Sequence, residues 1–159
     1  MALTFDLIRT LDDIDWAILR ELQDDARVSW SELGRRVALS PPAVADRVRR
    51  LEEAGVISGY RAEIGLPAAG YSITAFIRIA VKDAYDRTYE RFEAHLAGAP
   101  EVLECHHLTG EDCFIAKVAA TSVEHLERVI RELSRFGRTT TSIVLSTPVS
   151  RRVIEPAAV

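Results

Sequence analysis

Residues 41–53 read Pro-Pro-Ala-Val-Ala-Asp-Arg-Val-Arg-Arg-Leu-Glu-Glu, and stepping them at 100° per residue sorts them by chemistry. Val44, Val48 and Leu51 form a narrow apolar stripe. Pro42, Asp46, Arg49 and Glu53 lie opposite it, Ala43, Ala45 and Arg50 flank it, and Arg47 sits at its margin. A helix with a slim tip and a basic body suits a DNA groove. Small residues let the main chain approach base edges, while arginines reach phosphates or guanines. On that reading Pro42, Ala43, Ala45, Asp46 and Arg49 face bases, and Ser40, Arg47 and Arg50 face phosphates. The same charges also form i,i+4 pairs, Asp46–Arg50 and Arg49–Glu53, which decorate many solvated helices. The neighbouring residues therefore decide between the two.

Other chemistry is sparse. Cys105, His106, His107 and Cys113 fall on two neighbouring stretches of strand pattern, where alternation puts His106 opposite Cys105 and His107. At most three of the four converge, and their spacing matches no structural zinc pattern, so no metal is expected. The chain has no Gly-rich phosphate loop, no G-x-S-x-G elbow and no evident paired carboxylates. Neither catalysis nor a cofactor is expected.

The elements that must position residues 41–53 are announced by their caps. Ser29-Trp30-Ser31-Glu32 reads as a capping box with Val28 and Leu33 in the staple positions. Ser40 precedes Pro41 at a first helical position, with Leu39 and Val44 as a second staple. The first of these helices should end near Val37, leaving Ala38 and Leu39 for the turn; Ala38 holds a place where such turns often carry Gly. Two helices so tightly joined cross steeply, as in a helix-turn-helix. An earlier helix capped by Asp12, with Leu11 and Trp16 as staple and Asp13 and Asp15 in its first turn, completes a three-helix unit. Its expected core is Ile14, Ile18, Leu22, Leu33, Val37, Val44, Val48 and Leu51, with Trp16 and Trp30 as packing anchors. These caps and the tight turn favour DNA reading for the basic helix.

The totals set the frame. A chain of 159 residues holds one ordinary domain or two small ones, and 48% apolar content with mixed charge makes it globular. No apolar run approaches a membrane span and residues 1–6 lack a signal pattern, so the cytoplasm is expected. A net charge of −4 exerts no global pull on nucleic acid. Affinity must come from the local patch of Arg35, Arg36, Arg47, Arg49 and Arg50.

Beyond Gly55, residues 56–63 read as a short strand, and Gly65, Pro67 and Gly70 mark a linker. Residues 72–81 then alternate, with Ile73, Ala75, Ile77, Ile79 and Val81 on one face and Thr74, Phe76 and Arg78 on the other. A helix follows through Tyr85, Tyr89, Phe92 and Leu96, then strands over 102–108 and 113–119 joined by a polar turn. Thr121-Ser122-Val123-Glu124 reads as a capping box for a helix burying Val123, Leu126, Ile130 and Leu133, and 139–149 as the last strand. The order predicts a ferredoxin-like α+β sandwich of βαββαβ topology. Its helices cover one sheet face only, so a second copy is expected on the other. The predicted organisation is a helix-turn-helix DNA-binding domain over 1–57, a linker strand and hinge over 58–70, the sandwich over 71–150 and a tail over 151–159.

The string LDDIDWAILRELQDDARVSWSELGRRVALSPPAVADRVRRLEEAGVISGY, followed by ECHHLTG and a second capped helix, resembles the Lrp/AsnC (feast/famine) family of transcription regulators. The resemblance implies a sequence-specific regulator of double-stranded DNA that dimerises through its C-terminal sheets, often assembling into octamers, and answers to an amino acid. It places the effector near the turn Thr109, Gly110, Glu111 and Asp112. Where the family turn reads Gly, acidic, aromatic, Asp, this chain reads Gly110-Glu111-Asp112-Cys113. Two other readings remain beside it. One is a tetrapyrrole decarboxylase of the same fold using His95, His106, His107 or His125; the other is a DNA-compacting protein with little sequence preference.

Overall fold

A computed structural model describes residues 11–81, 87–110 and 113–157. Of these, the residues up to Ala62 and those from Val149 onward form one compact unit, and Glu63–Pro148 form another.

The first unit holds α1 (Asp13–Asp24), α2 (Trp30–Arg36) and α3 (Pro41–Glu53). Ile18, Leu19, Leu22, Leu33, Val44, Val48 and Leu51 are its buried core, with Ile14, Trp16 and Val37 partly buried against them. Trp30 is not an anchor there: it is 42% exposed. At the start of α1 the Asp12 carboxylate accepts from the Asp15 N–H at 2.7 Å, and Asp15 reaches back to the Asp12 N–H at 3.3 Å. At α2 only half of the expected box forms. Ser29 Oγ accepts from the Glu32 N–H at 3.2 Å, but the Glu32 carboxylate is taken by Arg35 and Arg36 instead.

Gly34 makes the tight turn possible. A Cβ built there would lie 2.5 Å from the Leu39 carbonyl oxygen, a backbone atom that cannot swing away. The Leu39 N–H in turn donates to the Gly34 carbonyl at 2.9 Å. Ala38 adopts φ 55, the left-handed region, where a Cβ is strained. Ala38→Gly is therefore expected to stabilise this unit by about 0.5–1 kcal/mol, read as a higher tryptophan-monitored melting temperature. A lower melting temperature would count against strain at that residue.

The strand expected over 56–63 does not form: a ladder requires a second strand, and nothing in the described chain pairs with this segment. Its start is fastened to α3, with the Val56 and Ile57 N–H groups donating to the Leu51 carbonyl and the Tyr60 hydroxyl to Glu52 at 2.9 Å.

The second unit is a four-stranded antiparallel sheet in the order β2-β3-β1-β4, with β1 (Ile73–Val81), β2 (Val102–His107), β3 (Phe114–Ala120) and β4 (Gly137–Ile143). Helices α4 (Thr88–Ala97) and α5 (Val123–Ser134) cover one face, burying Ala75, Ile77, Ile79, Phe92, Phe114, Ala116, Val118, Leu126, Val129 and Leu133. Tyr85, expected to begin the first of these helices, lies outside the described residues.

Three sequence expectations are corrected. The cap of α5 is Ser122, not Thr121, with its Oγ accepting from the His125 N–H at 3.1 Å. That shift turns Val123 outward, to 63% exposure, and puts Val129 in the core. The last strand ends at Ile143, where the pairing with β1 stops at Ala75. The uncovered sheet face carries Phe76, Arg78, Glu104, His106, Ile115 and Lys117 across adjacent strands. It is mixed in character, with the Lys117 Nζ 3.2 Å from Glu104.

Candidate nucleic-acid interface and effector turn

The tip of α3 is chemically unusual. Pro41 and Pro42 occupy its first two helical positions, removing two of the N–H groups that a helix start leaves free. The Ser40 side chain makes no capping hydrogen bond, so its hydroxyl is not committed to the helix. Ser40, Pro42, Asp46, Arg49 and Arg50 are exposed, and Ala43 and Ala45 half-buried.

The arginines do not stand alone. Asp46 holds Arg49 through a short ion pair and Arg50 Nε at 3.5 Å, while Glu53 lies 3.5 Å from Arg49. The Arg49 guanidinium beside it keeps the Asp46 carboxyl below its usual range. On α2, Glu32 accepts from both Arg35 and Arg36, which hold its pKa down to about 2, and Arg36 also reaches Glu21 at 2.7 Å. The arginines of this patch are thus largely neutralised by the protein's own acids.

Arg47 takes a different place from the one expected. Its Nη1 donates to Asp12 Oδ2 at 2.8 Å and Asp15 Oδ1 at 2.7 Å, using the carboxylate oxygens left over from the α1 capping box. Its side chain is 21% exposed. Without DNA, Arg47 joins α3 to the start of α1. Its position at the stripe's margin signalled partial burial; nothing local in the sequence pointed to acids more than thirty residues away.

Of the effector turn, Thr109 and Gly110 are described, while Glu111 and Asp112 lie outside the described residues. The Leu108 N–H donates to the Cys113 carbonyl at 2.7 Å across the base of the turn, and Gly110 has φ 118, which a side chain would strain. Next to it His107 stacks on Phe114 with centroids 4.6 Å apart, and Tyr89 meets both rings edge-on. Burial pushes the Cys105 thiol up. Among the described residues no three His, Cys, Asp or Glu side chains gather as a metal-ligand set, and no helix is long and apolar enough to cross a membrane.

A three-helix unit whose third helix carries exposed arginines, followed by a one-sided α+β sandwich, defines a DNA-binding regulator carrying a separate ligand-binding module. Residues 11–52 match the AsnC-type helix-turn-helix domain and residues 74–154 the Lrp/AsnC ligand binding domain. The HTH-type transcriptional regulator LrpC of Bacillus subtilis is 37% identical over 136 residues, covering 86% of this chain and 92% of that protein. Its structure superposes with a TM-score of 0.83 at 35% identity, covering 89% of this chain and 99% of that one. A transcriptional regulator of Neisseria meningitidis in complex with L-Met gives a TM-score of 0.85 at 33% identity, over 91% of this chain and 96% of that one. A feast or famine regulatory protein of M. tuberculosis complexed with L-methionine gives 0.82 at 37%, over 92% and 100%. The chain belongs to the Lrp/AsnC family of transcription regulators.

Proposed function

We propose that this regulator reads DNA through Ser40, Pro42, Ala43, Ala45, Asp46, Arg49 and Arg50, acts as a dimer or larger ring, and is tuned by a free amino acid at the turn of residues 109–112. The observation that carries the DNA reading is the division of labour along α3: Arg47 is held by Asp12 and Asp15, while Arg49 and Arg50 stay more than half exposed. Two such helices at fixed spacing suit a two-fold operator. The sheet face bearing Phe76 and Ile115, left bare by α4 and α5, is the natural seat of a second copy.

The amino-acid reading rests on the turn's chemistry and on the two relatives in complex with L-methionine. An ammonium needs acceptors and a carboxylate needs donors. Thr109, the Gly110 main chain and the carboxylates of Glu111 and Asp112 supply both. Neither the decarboxylase nor the compaction reading finds a counterpart among these relatives. A thermal-shift screen of the amino acids tests the site, since a ligand at 100 times its dissociation constant stabilises by about 2.7 kcal/mol. Asp112→Ala should remove the shift and leave effector-free DNA binding intact. A shift that survives loss of both Asp112 and Glu111 would place the ammonium elsewhere.

A further inference from the structure

The chain leaves the DNA-binding unit at Ala62, builds the sheet unit, and returns to the DNA-binding unit at Val149. The returning segment is fastened to α1 at two adjacent residues. Arg20 Nε and Nη2 donate to the two carboxylate oxygens of Glu155 at 3.0 and 2.8 Å. One turn further along α1, the Gln23 side-chain amide donates to the Ile154 carbonyl at 3.1 Å and accepts from the Ile154 N–H at 2.9 Å. A glutamine amide used in this way reads an extended backbone as a neighbouring strand would, without regard to the side chain. The arginine fork then reads the carboxylate of the next residue. Arg20 holds the Glu155 carboxyl below its usual range. Two recognition devices at matched spacing distinguish this from a chance surface pair.

We propose that residues 149–157 are a second tether that restrains the DNA-binding unit. Through residues 58–64 alone, a stretch with neither helix nor strand, that unit would be attached at one point only. Joined at both chain ends, it is held in a narrower range of orientations, and two recognition helices in an assembly keep the spacing that a two-fold operator demands. The clamp is polar and solvent-exposed, so its hold weakens as salt rises.

Both tryptophans of the chain, Trp16 and Trp30, lie in the DNA-binding unit, so the decay of tryptophan anisotropy follows that unit without a label. The test compares the full-length chain with the double variant R20A/Q23A, with Glu155→Ala, and with a chain ending at Ser150. All three are expected to show an added nanosecond phase of depolarisation and to bind operator DNA roughly 3- to 10-fold more weakly at fixed salt, with unchanged helix content. Arg20 and Glu155 are exposed and Gln23 half-buried, none of them in the core, so these two variants decide the matter if the shortened chain folds poorly. Anisotropy decays that superimpose on the unmodified protein in both point variants would overturn the tether. A faster decay with unchanged DNA affinity would overturn its role in operator binding.

Discussion

Gly34→Ala is expected to abolish operator binding while leaving the sheet unit folded. The new methyl carbon would sit 2.5 Å from the Leu39 carbonyl oxygen and 3.5 Å from the Val44 side chain, so α2 and α3 cannot keep their separation. Relief must come from the backbone of the turn itself. Overpacking of this kind costs about 1–3 kcal/mol and sometimes more, against the few kcal/mol that hold a domain of this size together. A loss of that order moves the recognition helix or unfolds its unit. Tryptophan fluorescence reports on this unit alone, and far-UV circular dichroism retains the sheet's contribution, so the two should separate. A variant that melts and binds DNA as the unmodified chain does would show that the turn relaxes at no cost. Ala38→Gly, four residues on, is expected to move stability the other way, because there the missing methyl relieves strain.

The sequence revealed the helices through their caps, since Asp12, Ser29 and Ser40 all stand where the structure starts a helix. It also revealed the sheet through alternation, with Ala75, Ile77 and Ile79 fully buried as their spacing requires. What it hid was settled by contacts that exist only once the chain has folded. The Gly34 requirement arises from a carbonyl brought close only when the turn closes. Arg47 finds Asp12 and Asp15 only once α3 packs on α1. Ser122 outcompetes Thr121 as the cap of α5, because Thr121 Oγ1 sits 3.1 Å from His125 Nδ1, whose other ring nitrogen is 3.0 Å from Glu101. The tail, read as an appendage, is tied to a helix more than a hundred residues earlier in the chain. Segment 56–63 has strand composition, but a strand is defined by its partner.

Substituting the three arginines of α3 in turn should give three different outcomes. Arg49→Ala is expected to relax sequence preference at one base position, by roughly 5- to 150-fold in discrimination if its fork grips a guanine. Arg50→Ala should weaken operator and unrelated DNA about equally and lower the salt slope by about 1, as loss of a phosphate contact does. Arg47→Ala should leave the salt slope unchanged and lower stability by about 1 kcal/mol, because its guanidinium is spent on Asp12 and Asp15. The pH dependence separates it further. The Asp12 carboxyl is held below its usual range by the Asp15 N–H first and by Arg47 next. The part of stability that arises from this lowering is complete above the ordinary carboxylate range and is lost as pH falls through the lowered value. The gap in melting temperature between Arg47→Ala and the unmodified chain should therefore be widest near neutral pH and close in acid. A gap constant from neutral pH into acid would mean that the carboxylates are not what Arg47 serves. A salt slope that drops by about 1 in Arg47→Ala would mean that it meets phosphate after all, with Asp12 and Asp15 surrendering it when DNA arrives.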